Sequence, residues 1–334
     1  MNQETDHPQT MPEVKVLDQL NEAFYQVYIF RAALEMEVFA KVATGEDTSE
    51  QMAAKEGWDP VGTRMLLDDL CCLKLLERDG PRYRLVPESE CYLLPEKPAY
   101  WGRLLLSEFN WEGNGGLAEA IRTGRRPIRY SATTPEVVDT WIACYARRWS
   151  APDAYQEQSD ELWRTLGIQA RDGLRVLDVA CGPAPRSLAL AGCHPGVGVT
   201  LLDWEPILQR ARRVAGTLGV EKQVKTIAGD LWSVDYGLDQ FDAIYLGNIT
   251  HFFGPEENAR LFRKAHVALV RGGVLVISAA RRDDPSLGVT LLWLYAVSAS
   301  GAAYDFGEYK SMLERAGFSH VEDVNHQQIK AVRA

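Results

Sequence analysis

The sequence predicts an α/β protein in which a mainly α, winged-helix domain precedes a doubly wound domain built on a parallel sheet. After residue 171, short apolar runs alternate with helical segments, which is the pattern of a parallel sheet covered by helices on both faces. Before residue 98, helical patterns are followed by a turn and a short hairpin, as in a winged helix. The length of 334 residues suits about two domains.

The first predicted domain covers residues 13–98 and follows a polar tail, residues 1–12, that we expect to be disordered. Apolar side chains recur at helical spacing over residues 14–42. Thr48 and Asp59 are predicted N-caps of the next two helices, because each is a favoured cap residue directly before a helical pattern.

A winged helix either places a helix in the DNA major groove or joins two subunits, and charge separates these uses. Residues 44–98 contain 12 acidic side chains and 7 basic ones. The predicted recognition helix carries Asp68 and Asp69, which a phosphate backbone would repel. The whole chain has a formal net charge of −10, which also argues against a large nucleic-acid surface. We therefore favour a dimerisation module over a DNA-binding regulator.

A helical segment, residues 99–170, links the two domains and is rich in aromatic residues. Such side chains most often fill a core, and the alternative is that they line an apolar pocket for a flat substrate. The candidates for such a pocket, including one from the C-terminal domain, are Trp111, Trp141, Tyr145, Trp149 and Trp293.

The second predicted domain, residues 171–334, contains five apolar runs that we interpret as strands. Several of these runs end in an acidic residue or glycine, and ligands of doubly wound sheets bind at such carboxyl ends. The runs cover residues 175–180, 197–202, 224–228, 241–246 and 274–278.

The loop at the end of the first run, residues 178–185, indicates which kind of cofactor binds. It has one glycine, Gly182, so it lacks the G-x-G-x-x-G turn that lets a backbone close on a pyrophosphate. A glycine-poor loop that begins with an acidic residue suits a ligand with an amino-acid end and no phosphate. We expect Asp178 to bind the ammonium of that ligand, directly or through water.

Acidic residues also follow the second and third runs. Asp203 is placed to accept both hydroxyls of a ribose, and Trp204 beside it can stack on adenine. Asp230 is placed to accept from the adenine amino group, with Leu231 and Trp232 against the other face of the ring. An Asp after a strand is often only a helix cap. Three of them at successive strand ends are a more specific signal.

Five segments in this order resemble the class I small-molecule O-methyltransferases of bacteria and plants. They are residues 176–191, 202–204, 228–232, 247–257 and 271–275. The winged-helix segment is similar to the dimerisation domain of the same family, in particular at residues 73–77 and 83–85.

The resemblance implies a Rossmann-like methyltransferase domain that binds S-adenosylmethionine (SAM), releases S-adenosylhomocysteine and needs no metal. It also implies a homodimer in which each N-terminal domain helps to cover its partner's substrate pocket. The implied cofactor contacts are Asp178, Gly182, Asp203, Trp204, Gly229, Asp230, Leu231, Trp232 and Asn248. One departure lies in the cofactor loop, where Ala184 stands in place of the usual glycine.

His251 occupies the position of the family's proton-accepting histidine, so it is the expected general base toward an acceptor hydroxyl. The alternative is a structural histidine packed beside Phe252. Phe252 itself stands where many plant members have Asp, and residues 276–280 lack the glutamate that orients the histidine in many members. Asp283 or Asp284 are the candidates to replace that glutamate.

The predicted function is transfer of a methyl group from SAM to a hydroxyl of a small aromatic secondary metabolite. The alternatives are C- or N-methylation, a non-methylating reaction such as hydroxylation or pericyclic rearrangement, and a winged-helix regulator. The polar, acidic start of the sequence argues against a secretory signal, and the absence of an apolar stretch of 18 or more residues argues against a membrane span. Its six cysteines form no C-x-x-C pair. We therefore expect a cytoplasmic enzyme whose partners are its acceptor and a second copy, with no nucleic acid or membrane.

Overall fold

A computed structural model describes residues 14–97, 100–102, 105–106, 116–126, 159, 161–285, 292, 295 and 298–334. The chain divides into two compact units, Met1–Phe109 and Asn110–Ala334. The predicted disordered tail, residues 1–12, lies outside the described residues, as does most of the predicted linker, residues 99–170.

The N-terminal unit has the predicted winged-helix order of helices followed by a hairpin. Its elements are α1 (Lys15–Glu35), α2 (Val38–Ala43), α3 (Ser49–Glu56), α4 (Pro60–Cys72), β1 (Leu76–Asp79), β2 (Arg82–Leu85) and α5 (Pro87–Tyr92). Both predicted caps are confirmed, because Thr48 accepts from the backbone of Gln51 at 3.2 Å and Asp59 accepts from that of Gly62 at 2.6 Å. The periodic stretch at residues 14–42 forms two helices, since Glu37 adopts a left-handed φ of 54° between them.

The core of this unit leaves most of α1 outside. Phe39, Leu67 and Leu70 lie at its centre and are at most 1% exposed. In α1, by contrast, only Ala33 and Leu34 are buried. The N-terminal two-thirds of α1 therefore carries apolar side chains that the unit itself does not cover.

The C-terminal unit contains a seven-stranded, mostly parallel sheet. Its elements are α6 (Leu117–Thr123), β3 (Arg175–Val179), α7 (Pro185–Cys193), β4 (Gly198–Asp203), α8 (Glu205–Leu218), β5 (Val224–Ala228), β6 (Phe241–Gly247), α9 (Pro255–Ala268), β7 (Leu269–Ser278), α10 (Phe306–Arg315), β8 (Phe318–Asp323) and β9 (Gln328–Arg333). The strand order is β5-β4-β3-β6-β7-β9-β8, and the last two strands are antiparallel to their neighbours. The five predicted strands are present, whereas β8 and β9 were not predicted.

The order of the strands determines where the loops converge. From β3 the chain adds β4 and β5 on one side, and it then returns to add β6 and β7 on the other. The strand order therefore reverses between β3 and β6, whose ends pair at Val179 and Leu246. The loops that follow these two strands open side by side, at the position where doubly wound sheets bind ligands.

Apolar side chains cover both faces of the sheet, as expected of parallel strands. Val176 belongs to the cluster on one face, and Leu177 and Val179 belong to the cluster on the other. All three are fully buried, and each such side chain contributes about 1.5–3 kcal/mol to folding. No helix among the described ranges is long and apolar enough to cross a membrane.

Candidate cofactor and active site

The loop after β3 has an alternating left-handed backbone. Ala180, Gly182 and Ala184 have φ values of 53°, 54° and 55°. For a residue other than glycine this conformation costs about 1–2 kcal/mol. Ala184 stands where the family has glycine, and its backbone keeps the left-handed conformation that glycine adopts easily. The alanine side chain makes that conformation less favourable.

Asp203 lies at the end of β4 and faces this loop. One of its carboxylate oxygens accepts from the backbone N–H of Gly182 at 2.8 Å, and the other accepts from that of Trp204 at 2.7 Å. Each oxygen retains a second lone pair for a ligand. Burial raises the pKa of Asp203 to about 6, and the two N–H donors oppose that shift. A vicinal diol that donates to both oxygens would stabilise the ionised form.

Asp178 lies within β3 itself and is 2% exposed. Its carboxylate accepts from the hydroxyl of Ser187, in the first turn of α7, at 2.6 Å. Burial raises the pKa of Asp178 to about 8, and the nearby Asp203 adds to the shift while Ser187 and Arg186 oppose it. A cationic group beside Asp178 would favour its ionised form. Ser187 and Arg186 were not singled out from the sequence.

The turn after β5 lies next to Asp203. The backbone N–H of Gly229 donates to the carbonyl of Asp203 at 3.1 Å. Asp230 accepts from the backbone of Trp232 at 3.0 Å, so one of its oxygens caps the turn. Lys264 of α9, which was not singled out from the sequence, supports this turn. Its ammonium donates to the carbonyls of residues 231, 232 and 234 at 2.7, 3.2 and 2.6 Å.

The two tryptophans predicted to hold adenine have different surroundings. The ring of Trp232 meets Phe253 edge-on at a centroid distance of 4.8 Å, and the guanidinium of Arg260 lies 5.3 Å from the Trp232 ring centroid. Trp204 makes no ring contact with the described part of the chain. Trp204 is thus the better placed of the two to stack on a flat ligand.

The turn after β6 is held from several directions. It begins at Asn248, which has a φ of 57° and donates its N–H to the carbonyl of Ser278 at 2.7 Å. The amide of Asn258 in α9 donates to the carbonyls of Thr250 and Phe253, at 2.9 and 3.1 Å. Gly301 packs so closely on this turn that a side chain there would collide with its backbone. The turn is therefore a rigid support for its central residue, His251.

The side chains described above fit SAM. Asp178 suits the ammonium, Asp203 retains acceptor capacity for the two ribose hydroxyls, and Trp204 presents a ring for adenine. The set is acidic, as a cationic ligand requires. Within the described ranges, no group of three or more His, Cys, Asp and Glu side chains converges as a metal ion would require.

Two family models match the chain in the predicted order. The O-methyltransferase dimerisation domain matches residues 18–95, and a methyltransferase domain matches residues 176–273. The chain belongs to the family of SAM-dependent O-methyltransferases with an N-terminal dimerisation domain. It is accordingly a SAM-dependent methyltransferase.

Relatives of this methyltransferase match it over nearly its whole length. The tetracenomycin polyketide synthesis 8-O-methyl transferase TcmO of Streptomyces glaucescens is 28% identical over 91% of each chain. The N,N-dimethyltransferase OxyT of Streptomyces rimosus is 24% identical, over 92% of this chain and 91% of its own. The crystal structure of a proposed O-methyltransferase from Nostoc punctiforme has a TM-score of 0.75 and 26% identity, over 97% of this chain and 100% of its own.

His251, the predicted base of this methyltransferase, lies at the centre of the turn after β6 and is 5% exposed. Its Nδ1 accepts from the backbone N–H of Ala280 at 3.3 Å. The ring of Phe252 packs against the imidazole, with the two ring centroids 4.6 Å apart. Burial lowers the pKa of His251 to about 4. Asp283 is one of the two candidates to replace the glutamate that orients the histidine in many family members. Its carboxylate instead pairs with the guanidinium of Arg281 at 2.6 Å.

The predicted acceptor pocket depends on aromatic residues of the linker and of the C-terminal domain. All five predicted pocket aromatics, Trp111, Trp141, Tyr145, Trp149 and Trp293, lie outside the described residues. One nearby contact is described. The guanidinium of Arg126, just after α6, lies 4.1 Å from the ring centroid of Tyr295 and donates to the carbonyl of Gly301 at 2.6 Å. Arg126 thus joins α6 to the segment that packs against the histidine turn.

Proposed function

We propose that this methyltransferase transfers the methyl group of SAM to a hydroxyl group of a small aromatic secondary metabolite. The observation that carries the proposal is the position of His251. It follows β6, the strand next to β3, and one of its ring nitrogens has no hydrogen-bond partner among the described residues. When bound, SAM supplies an electrophilic methyl group, which an acceptor oxygen takes while the carbon–sulfur electron pair stays on sulfur.

The residues of the chain bind and orient the two reactants. We assign the ammonium to Asp178, the ribose to Asp203 and one face of adenine to Trp204. Gly182 lets the loop after β3 approach the ligand closely. The remaining proposed contacts, from the turn after β5 and the start of the turn after β6, are Gly229, Asp230, Leu231, Trp232 and Asn248.

His251 is the proposed catalytic residue because it can exchange a hydrogen bond with the acceptor oxygen. The family resemblance implies that it removes a proton, which is worth about 10²–10⁴-fold in rate. A general base needs an unprotonated nitrogen that points at the acceptor. Because Nδ1 already bonds to Ala280, that nitrogen would have to be Nε2. The five predicted aromatics, from Trp111 to Trp293, are the proposed walls of the acceptor pocket.

Transfer of labelled methyl tests the proposal. The full-length protein is incubated with SAM carrying a radioactive methyl group and a panel of hydroxylated aromatic compounds, such as naphthols and hydroxyquinones. We expect label in the product and a mass gain of one CH₂ per turnover. A protein that binds SAM tightly but labels no oxygen would contradict the proposal. A SAM-dependent product without added methyl would instead indicate a non-methylating reaction.

N-methylation is the second candidate, because OxyT is named as an N,N-dimethyltransferase and matches nearly the whole chain. Matched acceptors separate the two reactions. Each hydroxylated compound is tested beside the analogue that has an amino group at the same ring position. Oxygen transfer predicts label only on the hydroxyl member, whereas preferential labelling of the amine would favour N-methylation.

We also propose that the methyltransferase is a homodimer that pairs through α1. Val16, Leu17 and Leu20 are 65%, 69% and 64% exposed, and Phe24 and Tyr28 continue the same apolar surface. A patch of this kind marks an interface, and the match to the O-methyltransferase dimerisation domain, residues 18–95, includes Leu20, Phe24 and Tyr28. We expect the double variant L17D/L20D to elute as a monomer in size-exclusion chromatography with light scattering. L238D, at an exposed leucine of the other unit, should leave the dimer intact.

DNA binding has less support. Each arginine of the β1–β2 hairpin is paired with a carboxylate: Arg78 with Asp68 at 2.9 Å, and Arg82 and Arg84 with aspartates at 2.7 and 2.8 Å. These side chains are therefore compensated within the unit. Gel-shift analysis with genomic fragments at low salt should show no complex.

A further inference from the structure

The two ring nitrogens of His251 have different environments. The backbone N–H of Ala280 donates to Nδ1. A neutral imidazole carries one proton, so a ring that accepts at Nδ1 must carry its proton on Nε2. No described residue bonds to Nε2. The nitrogen without a partner among the described residues is therefore an N–H donor, whereas a general base would need an acceptor there.

The structure holds both partners of this hydrogen bond in place. On the histidine side, Asn258 bonds to the carbonyls on either side of His251, and the hydroxyl of Thr250 bonds to that of Tyr309 at 2.8 Å. On the other side, Ala280 precedes Arg281, whose guanidinium is 0% exposed and pairs with two aspartates. A half-turn of the imidazole would place a C–H against the Ala280 N–H and leave that donor without an acceptor.

The described charged and titratable groups around the turn each have another partner, so none of them provides a counter-charge for a protonated His251. Arg281 is neutralised by Asp283 and Asp323, and Glu257 of α9 accepts from the backbone of Gly254 and from Ser300. The hydroxyl of Tyr304 donates to the carbonyl of Phe253, and that of Tyr309 is engaged by Thr250. Burial is the cause of the lowered pKa of His251, so the ring is neutral at neutral pH.

We propose that His251 acts as an Nε2–H donor to the acceptor oxygen, and that the acceptor is an acidic phenol that binds as its phenolate. This inference rests on the proposed O-methylation. The phenol loses its proton to solvent before reaction. The oxygen lone pair then forms the bond to the methyl carbon, while the carbon–sulfur bond breaks and its electron pair stays on sulfur. The negative and positive charges cancel, and no proton moves to His251.

The proposal restricts the class of substrate. An ordinary phenol has a pKa of about 10 and is almost fully protonated at neutral pH. A phenol on an electron-poor ring, or one conjugated with a carbonyl, ionises much more readily. We therefore expect hydroxyquinones and hydroxylated aromatic ketones to be methylated faster than simple naphthols of the same size.

The tautomer can be measured without any acceptor. The full-length protein is labelled with ¹⁵N-histidine, deuterated and saturated with S-adenosylhomocysteine, and the His251 signals are identified by their loss in H251Q. We expect the Nε2–H tautomer, with no titration of His251 between pH 5 and 8. An Nδ1–H tautomer, or a titration near the ordinary histidine pKa of about 6.5, would overturn the inference. Because this measurement needs no turnover, it can fail independently of the proposed O-methylation.

Kinetics provide a second test with the best hydroxylated acceptor of the panel and its fluorinated analogues. In a pH profile of kcat/KM, the rising limb should shift with the phenol pKa of each analogue. H251Q keeps an amide N–H near the position of Nε2, so we expect it to retain activity within about tenfold of the native enzyme, while H251A loses more. A limb that stays fixed across the analogues, together with equal losses in both variants, would contradict the donor role.

Discussion

The two sides of the switch point present opposite hydrogen-bonding character to their ligands. The ends of β3 and β4 carry Asp178 and Asp203, two carboxyl groups whose free lone pairs accept hydrogen bonds. The turn after β6 carries a neutral imidazole whose open nitrogen donates. The first side suits a cation with hydroxyl groups, and the second suits an anionic oxygen. In the proposed reaction, the two charges that cancel therefore both come from the ligands.

Burial acts on both sides, with opposite effects on the pKa. It raises the pKa of Asp178 and Asp203 to about 8 and about 6, and it lowers that of His251 to about 4. In each case the neutral form is favoured. On the acidic side a cationic, hydroxylated ligand can restore the charged form. Around His251 there is no unpaired carboxylate among the described residues to do so.

The largest expected effect is on the acidic side. Asp203→Ala removes two charge-assisted hydrogen bonds, each worth about 1.5–3 kcal/mol, so the Kd for SAM should rise at least about 100-fold. Calorimetry with full-length protein gives this value. Glu205→Ala is the matched control, because Glu205 is a neighbouring acid that pairs with Arg212 on the surface. An unchanged Kd in Asp203→Ala would remove this residue from the cofactor site.

The second effect is a loss of SAM affinity in acid. The folded protein without ligand has an Asp203 pKa of about 6, and ribose hydroxyls favour the ionised carboxylate. Protonation of Asp203 should therefore add a fall of about tenfold for each pH unit below 6 to the fall that Asp178 already causes below pH 8. Asp203→Asn should remove the part of the fall that begins near pH 6 and leave the part due to Asp178. A native profile without that added fall would contradict the assignment.

A smaller effect is expected from Lys264, which supports the turn that carries Asp230. Lys264→Met removes the donor to three carbonyls, so we expect the Kd for SAM to rise about fivefold, corresponding to about 1 kcal/mol. kcat at saturating SAM should change little. Lys264→Arg should recover part of the affinity. If kcat falls and affinity does not, Lys264 supports something other than the cofactor turn.

The smallest effect is a proton released when SAM binds. At pH 7 the carboxyl of Asp178, with a pKa of about 8, is mostly protonated, and the ammonium of SAM favours its ionised form. Calorimetry in two buffers of different ionisation enthalpy should show release of nearly one proton at pH 7 and almost none at pH 9. Asp178→Asn should abolish the release. Equal release in that variant would assign the proton to another group.

Local hydrogen bonds explain why the helix caps and the acidic turns at the strand ends could be predicted from the sequence. The caps at Thr48 and Asp59 each bond to a backbone N–H three residues away. Asp203 and Asp230 likewise bond to backbone one or two residues further on. Alternation of strand and helix then determines which edge of the sheet carries these groups. Short-range chemistry and periodicity are both visible in a linear sequence.

Other features depended on contacts between distant segments, which a linear sequence does not show. The N–H that determines the protonation of His251 comes from Ala280, and the ammonium that holds residues 231–234 comes from Lys264. The strands β8 and β9 join the sheet antiparallel, which alternation of strand and helix did not predict.

By itself the sequence determined the two-part architecture, the parallel strands and the acidic strand ends of this methyltransferase. Only the tertiary structure decided which nitrogen of His251 bonds to the protein backbone and which has no partner among the described residues. The physical reason is that the composition of a turn identifies its side chains, whereas the proton on an imidazole depends on the donor that folding brings to it. That donor is a backbone N–H on a different strand end, and a backbone N–H has no signature in a sequence.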